Sequence, residues 1–182
     1  MPPSTFFPMR PKNILSLLQH GDRRTIGRSD EVAAIVCRSP ALFPKLIAGL
    51  WSAEPALRMR AADAVEKVTR KLPKLLQPYK RELLGLLAEA DQQELRWHLA
   101  VMIPRLTLTP KERQRSASLL NAYLKHRSSI VRTFALQGLA DLAQQDPAMR
   151  PAVIDLLRAS TRGGTPAMRA RSRKLLEQFE RA

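Results

Sequence analysis

An aliphatic or thioether residue followed by arginine recurs four times along the chain, as Leu57-Arg58, Leu95-Arg96, Val131-Arg132 and Met168-Arg169, with the arginines 38, 36 and 37 positions apart. Nothing else in the sequence restricts the fold as much, because self-similarity at a period of roughly 20–50 residues is the mark of one supersecondary unit repeated along the chain. The register extends past the arginine. Offset +7 holds Val65, Ile103, Leu139 and Leu176, and offset +10 holds Val68, Leu106, Leu142 and Phe179. With the residue at −1, these positions share one face of a helix of about 3.6 residues per turn. At +3 stand Ala61, Leu99 and Ala135, then Ser172, and the small residues among them let neighbouring helices approach closely.

Each of these helices follows another with its own apolar stripe: Leu42, Phe43, Leu46, Ile47 and Leu50; then Leu75, Leu76, Tyr79, Leu83, Leu84 and Leu87; then Leu119, Leu120, Tyr123 and Leu124; then Val153, Ile154, Leu156 and Leu157. Helix starts are marked separately by proline after a residue able to cap, at Ser39-Pro40, Thr109-Pro110, Asp146-Pro147 and Thr165-Pro166. Thr109 with Glu112 fits a capping box, and Glu54-Pro55 marks a start with a poorer cap. The unit is helix, turn, helix, with boundaries near 40–72, 73–108, 109–146 and 147–182. Upstream, residues 13–39 predict capping helices, a short one from Ser29 to Cys37 and a weaker one from Ile14 to Leu18. Residues 1–12 carry four prolines and predict an extended tail.

The runs Leu57-Arg58-Met59-Arg60-Ala61-Ala62-Asp63-Ala64-Val65 and Ile130-Val131-Arg132-Thr133-Phe134-Ala135-Leu136-Gln137-Gly138-Leu139 resemble the second helix of HEAT repeats, and the resemblance covers roughly residues 40–182. It implies an all-α, right-handed α-solenoid of about four helix pairs. The family's repeat is commonly a little longer; tetratricopeptide repeats are shorter, and their Trp, Gly and Tyr signature is absent. In HEAT repeats a turn aspartate typically partners the second-helix arginine, which makes Arg58, Arg96 and Arg132 repeat-structural residues by resemblance. The turn acid survives here only as Glu54 and Asp91, so Arg132 and Arg169 are expected to face solvent or backbone carbonyls.

A chain of 182 residues, 45% hydrophobic with 5% aromatic and 7 glycines, suits one domain built on Leu, Ala and Val packing. Its single cysteine, Cys37, excludes an internal disulfide and, among Ala33, Ala34, Ile35 and Val36, reads as a core-facing thiol. The N-terminus has no secretory pattern and no apolar run reaches the roughly 18 residues of a membrane span, so a cytoplasmic protein without a membrane partner is expected. No P-loop, dinucleotide glycine pattern, nucleophile elbow or two-histidine zinc helix occurs, and His20, His98 and His126 are far apart in sequence. No catalytic residue, cofactor, metal site or small-molecule ligand is indicated.

Charge is the remaining signal. Lysine and arginine number 31 against 16 acidic residues, a formal net charge of +15, which favours anionic partners unless the excess is only a solvated surface. Offsets +2 and +9 share a helix edge that reads as exposed: Arg60 and Lys67, then His98 and Arg105, then, after an interruption at Phe134 and Asp141, Arg171. The densest cluster is Arg169, Arg171, Arg173 and Lys174, preceded by Arg158, Arg162 and Gly163-Gly164. Together these form a candidate phosphate-binding set, Arg60, Lys67, Arg105, Arg169, Arg171, Arg173 and Lys174. Three readings follow: a non-catalytic scaffold binding another protein, a backbone-directed nucleic-acid binder, and, by ingredients alone, an enzyme like the alkylpurine DNA glycosylases with Asp91, Trp97 and Asp63 as analogues. Trp97 occupies a position held elsewhere by Met59, Thr133 and Ala170, which favours packing over chemistry. The scaffold is the preferred reading.

Overall fold

The structure, a computed structural model, describes residues 14–19 and 25–181; the Pro-rich segment 1–12 and His20 lie outside the described residues. Among the described residues the chain is all-helical. The α-helices are α1 (Ser16–Gln19), α2 (Ser29–Arg38), α3 (Phe43–Ile47), α4 (Pro55–Lys71), α5 (Lys80–Glu89), α6 (Gln93–Met102), α7 (Pro110–Tyr123), α8 (Ser129–Gln145), α9 (Arg150–Gly163) and α10 (Pro166–Glu180). None is long and apolar enough to cross a membrane.

The start signals act unequally. At α7 the capping box forms in full, with Thr109 Oγ1 accepting from the Glu112 amide at 3.2 Å and Glu112 Oε2 accepting from the Thr109 amide at 2.8 Å. Thr165 accepts from the Met168 amide at α10, and Asp146 from the Ala148 amide ahead of α9. Ser39 and Glu54 make no side-chain cap, so those starts rely on proline alone. Prolines also shape what lies between: Pro73–Tyr79, with prolines at 73 and 78, is a 3-10 stretch leading into α5. Pro104 cannot donate to the Ala100 carbonyl, and α6 gives way to a 3-10 turn over Ile103–Arg105. At that same carbonyl α8 approaches α6 closely: a Cβ on Gly138 would lie 2.2 Å from Ala100 O.

The second helix of each pair packs on the next, α4 on α6, α6 on α8 and α8 on α10, while α2 packs on α4 at the N-terminal end. The first helices lean chiefly on their own partners, α3 on α4, α7 on α8 and α9 on α10. Apolar residues from both sets form one continuous core. Val65, Ile103 and Leu139, the +7 register, are buried in it. The last helix departs from that register, since Leu175 is buried while Leu176 and Phe179 stay half-buried. Among the described residues α10 packs on α8 and α9 and has no helix against its other side. At the other end α2 is more than a polar cap, for Val32, Ala33 and Val36 are buried. Cys37 is half-buried, at the margin of the core instead of inside it.

Candidate functional site

The second helices α4, α6 and α8 each have a partner on both flanks, so the face opposite the apolar stripe is the one left for solvent. At about 100° per residue, offsets −1, +3, +7 and +10 centre the stripe, offsets +2 and +9 lie about 100° to one side of it, and offsets −2, +1 and +5 lie nearly opposite. The +2 and +9 side chains therefore face the neighbouring helix and not solvent, and the exposed basic stripe expected from the sequence is not formed.

Each of its members is engaged inside the protein. Arg60, 1% exposed, donates to Leu18 O at 2.7 Å and to Thr25 O at 3.0 Å, tying the N-terminal segment to α4. Lys67 pairs with Asp63 on its own helix and with Asp30 on α2, both at 2.6 Å. Arg105 bridges to α4, donating to the Glu66 carboxylate, to Glu66 O at 2.8 Å and to Thr69 Oγ1 at 2.9 Å. His98, 1% exposed, places Nε2 3.6 Å from Asp63 Oδ1. Arg171 is half-buried, donating to Gln137 Oε1 at 2.7 Å and lying 5.4 Å from the centroid of the Phe134 ring. The row is a polar ladder that ties α4 to the N-terminal segment and α2 through Arg60 and Lys67, and later elements to one another through His98, Arg105 and Arg171.

Electrostatics follow from that ladder. Burial by itself would raise the carboxyl groups of Asp63 and Glu66, but the His98 ring close by, with hydrogen bonds from Lys67 and Ser29, for the first, and hydrogen bonds from Arg70 and Arg105 for the second, outweigh it and hold both below the usual range. Asp141 differs: burial raises it, and the Gln137 hydrogen bond with Arg105 and Arg171 nearby offsets this only in part. Its charge is the one in this row that the fold disfavours.

The repeat arginines divide differently from the expectation. Arg58 donates to Ser52 O at 2.9 Å and Gln92 Oε1 at 2.6 Å, and Arg96 donates to Ala90 O at 2.6 Å while lying over the Tyr123 ring. Both grip carbonyls of the turn ahead of their helix, in place of Glu54 or Asp91. Arg132 has a buried Nε with no acceptor among the described residues, and Arg169 is exposed.

The face left open is carried chiefly by Ala56, Glu94, Ile130 and Ala167 at offset −2 with Met59, Trp97 and Ala170 at +1, and its place opposite the apolar stripe was the signal; Asp63 and Val101 at +5 and Thr133 at +1 are buried. Two clefts lie along it. One, of about 240 Å³ between α4 and α6, is lined by Ala56 and Met59 beside Glu54 and Glu94. The other, of about 280 Å³ between α8 and α10, has Ile130, Phe134, Ala167 and Ala170 on its walls and Arg171 and Lys174 at its rim. Ile130 is 51% exposed, a large aliphatic side chain left in water. Between the clefts the Trp97 ring stacks on Phe134 with centroids 4.9 Å apart, and on His98. The face thus runs from an acid-rimmed to a base-rimmed apolar cleft. Beside the second, Arg169, Arg173 and Lys174 project from α10, exposed and without an ion pair among the described residues.

Asp63, Ser29 and His98 have the residue types of a nucleophilic triad in the wrong order. Ser29 Oγ donates to Asp63 Oδ2 at 2.5 Å, so aspartate and not histidine receives the hydroxyl. His98 Nδ1 donates to Glu94 O at 2.6 Å. Asp63 and Trp97 line neither cleft of this face, and Asp91 is exposed. Among the described residues no three His, Cys, Asp or Glu side chains gather as a metal site. No protein-family model matches the chain, and no similar curated protein was found.

Proposed function

We propose that the chain is a right-handed α-solenoid of about four HEAT-like helix pairs and works, without catalysis, as a cytoplasmic scaffold that holds another protein on its second-helix face. The observation that carries the reading is the α8–α10 cleft, where Ile130 stands half in water beside Phe134, Ala167 and Ala170. Small residues at 167 and 170 leave room for a partner's side chain, and apolar surface framed by polar groups is typical of protein contacts. The inward turn of Arg60, Lys67, Arg105 and Arg171 supports the same reading, because it removes the groove that a nucleic-acid backbone would follow. A photo-crosslinking residue placed at Ala167 should give discrete protein adducts in cells, which Ile130→Glu abolishes and which Lys45, on the first-helix side, does not give. Adducts of equal pattern from both positions would sink the proposal.

A second reading, backbone-directed nucleic-acid binding, is favoured by the exposed Arg169, Arg173 and Lys174 on one helix. It predicts binding of duplex DNA, duplex RNA or a single strand that persists near physiological salt, exceeds binding to heparin and falls in Arg169→Ala/Arg173→Ala. Affinity no greater than for heparin, vanishing by physiological salt, would dismiss it.

A further inference from the structure

The first helices are less closely joined to one another than the second helices, and between α5 and α7 they leave a cleft of about 280 Å³. Lys80 Nζ and Glu112 Oε2, 2.9 Å apart, close one end of it. One turn further along each helix come Leu84, Gly85 and Ser116, and then Leu119. Polar and apolar ends are therefore separated along its length.

Three features of this cleft are unexplained by folding. Gly85 sits in the middle of α5, where glycine disfavours a helix, yet a Cβ there would meet nothing within 4 Å. No close approach and no unusual backbone angle requires it, and its effect is to keep the cleft open. Ser116 is fully buried at the cleft, and its hydroxyl has no hydrogen-bond partner among the described residues. Unpaired buried polar groups of this kind are uncommon because each carries a desolvation cost. Finally, Arg81 and Arg115 line the cleft from facing helices and make no ion pair among the described residues, whereas Glu112, the acid beside them, is already bound by Lys80 and the Thr109 amide.

We propose that the α5–α7 cleft binds a small organic anion, with a phosphate or carboxylate head between Arg81 and Arg115 and an apolar body lying over Gly85 against Leu84 and Leu119. The guanidiniums supply charge-assisted hydrogen bonds to the head. The missing side chain at position 85 supplies the space, and the Ser116 hydroxyl at the floor offers a donor to an oxygen reaching it. The site lies on the opposite helix set from the protein-docking face and does not depend on that reading.

Calorimetric titration with monomeric octyl phosphate tests this, with inorganic phosphate and 1-octanol as the separate halves. Octyl phosphate should bind at least about tenfold more tightly than either half. Gly85→Leu should weaken it by about tenfold or more while keeping an undiminished melting temperature, because leucine favours the helix and the cleft receives it without a clash. Arg81→Gln/Arg115→Gln should weaken octyl phosphate and octanoate alike. Sedimentation with phosphatidic acid vesicles identifies the source of the head: capture lost in Gly85→Leu places a lipid in the cleft, and no capture alongside octyl phosphate binding places a soluble anion there. Octyl phosphate binding that equals inorganic phosphate, or that survives Gly85→Leu unchanged, overturns the proposal.

Discussion

Between α4 and α6 with its trailing 3-10 turn, Arg105–Glu66 and His98–Asp63 contacts lie over a buried apolar seam, while α5 and α7, joined by the Lys80–Glu112 pair and the Tyr123 Oη to Leu87 O hydrogen bond, leave a cleft unfilled. Both are contacts between corresponding helices of neighbouring pairs. The difference shows where this chain puts its stability. Successive second helices are the spine, and the first helices brace them individually. Charged residues consequently differ within each side: Lys67, Arg105 and Arg171 are ladder rungs in the spine while Arg169, Arg173 and Lys174 stay exposed, and on the first helices Lys80 and Arg113 are paired while Arg81 and Arg115 stay exposed.

The strongest way to break this comparison is to empty the spine. Val65→Ala, Ile103→Ala or Leu139→Ala should each cost about 2–4 kcal/mol as buried large-to-small changes, and half-buried Leu84→Ala on the first-helix side about 1 kcal/mol. Equal losses in urea titrations would mean that the two helix sets share the load. Glycine sharpens the contrast further. Gly138→Ala drives a methyl group into Ala100 O and should destabilise by about 1–3 kcal/mol, whereas Gly85→Ala meets nothing and should stabilise by about 0.5–1 kcal/mol. Identical signs for the two would refute the difference in packing.

Acid should attack the spine first. Asp63 and Glu66 have folded-state pKa values below their unfolded ones, so their stabilisation is complete above an unfolded value of about 4 and is lost as pH falls through the folded values. A melting temperature level from pH 7 to about pH 5 and falling below about pH 4 is expected, with a shallower fall in Asp63→Asn. Asp141 has the opposite sign: its folded pKa is raised, so its ionisation opposes folding at neutral pH and ceases to do so in acid. Asp141→Asn should therefore raise the neutral-pH melting temperature and have no such benefit at low pH. The smallest contrast lies within α10. Arg171→Ala should cost about 1 kcal/mol through its contacts with Phe134 and Gln137, and exposed Arg173→Ala less than about 0.5 kcal/mol. Equal effects would show that Arg171 is as solvated as its neighbour.

Much of the fold was legible because its causes are local. The prolines at 55, 110 and 166 each open a helix where the capping pattern placed them, and the −1, +3, +7, +10 register found the buried stripe of α4, α6 and α8. It slipped by one position only in α10, which packs among the described residues on α8 and α9 alone. The candidate site was read less well. Arg60, Lys67, Arg105 and Arg171 were identified as one row, correctly, and assigned to water, incorrectly, because a helix's own periodicity locates its apolar stripe and says nothing about whether its flanks are covered. Ile130, Ala167 and Ala170 were not read as an exposed face because they carry no charge and the register described only the buried stripe.

The sequence by itself determined an all-helical fold, the starts of several helices and the residues of α4, α6 and α8 that would meet in the core, since hydrophobic spacing, proline and capping act within a few turns of chain. Only the tertiary structure decided that the +2 and +9 cations bind the neighbouring helix, that Arg58 and Arg96 hold turn carbonyls, and that Gly85 opens a cleft while Gly138 closes a contact. Those outcomes depend on how near residues some 35 positions apart are brought, as in the 36-residue separation of Arg105 from Thr69, and that distance is set by the packing of whole helices.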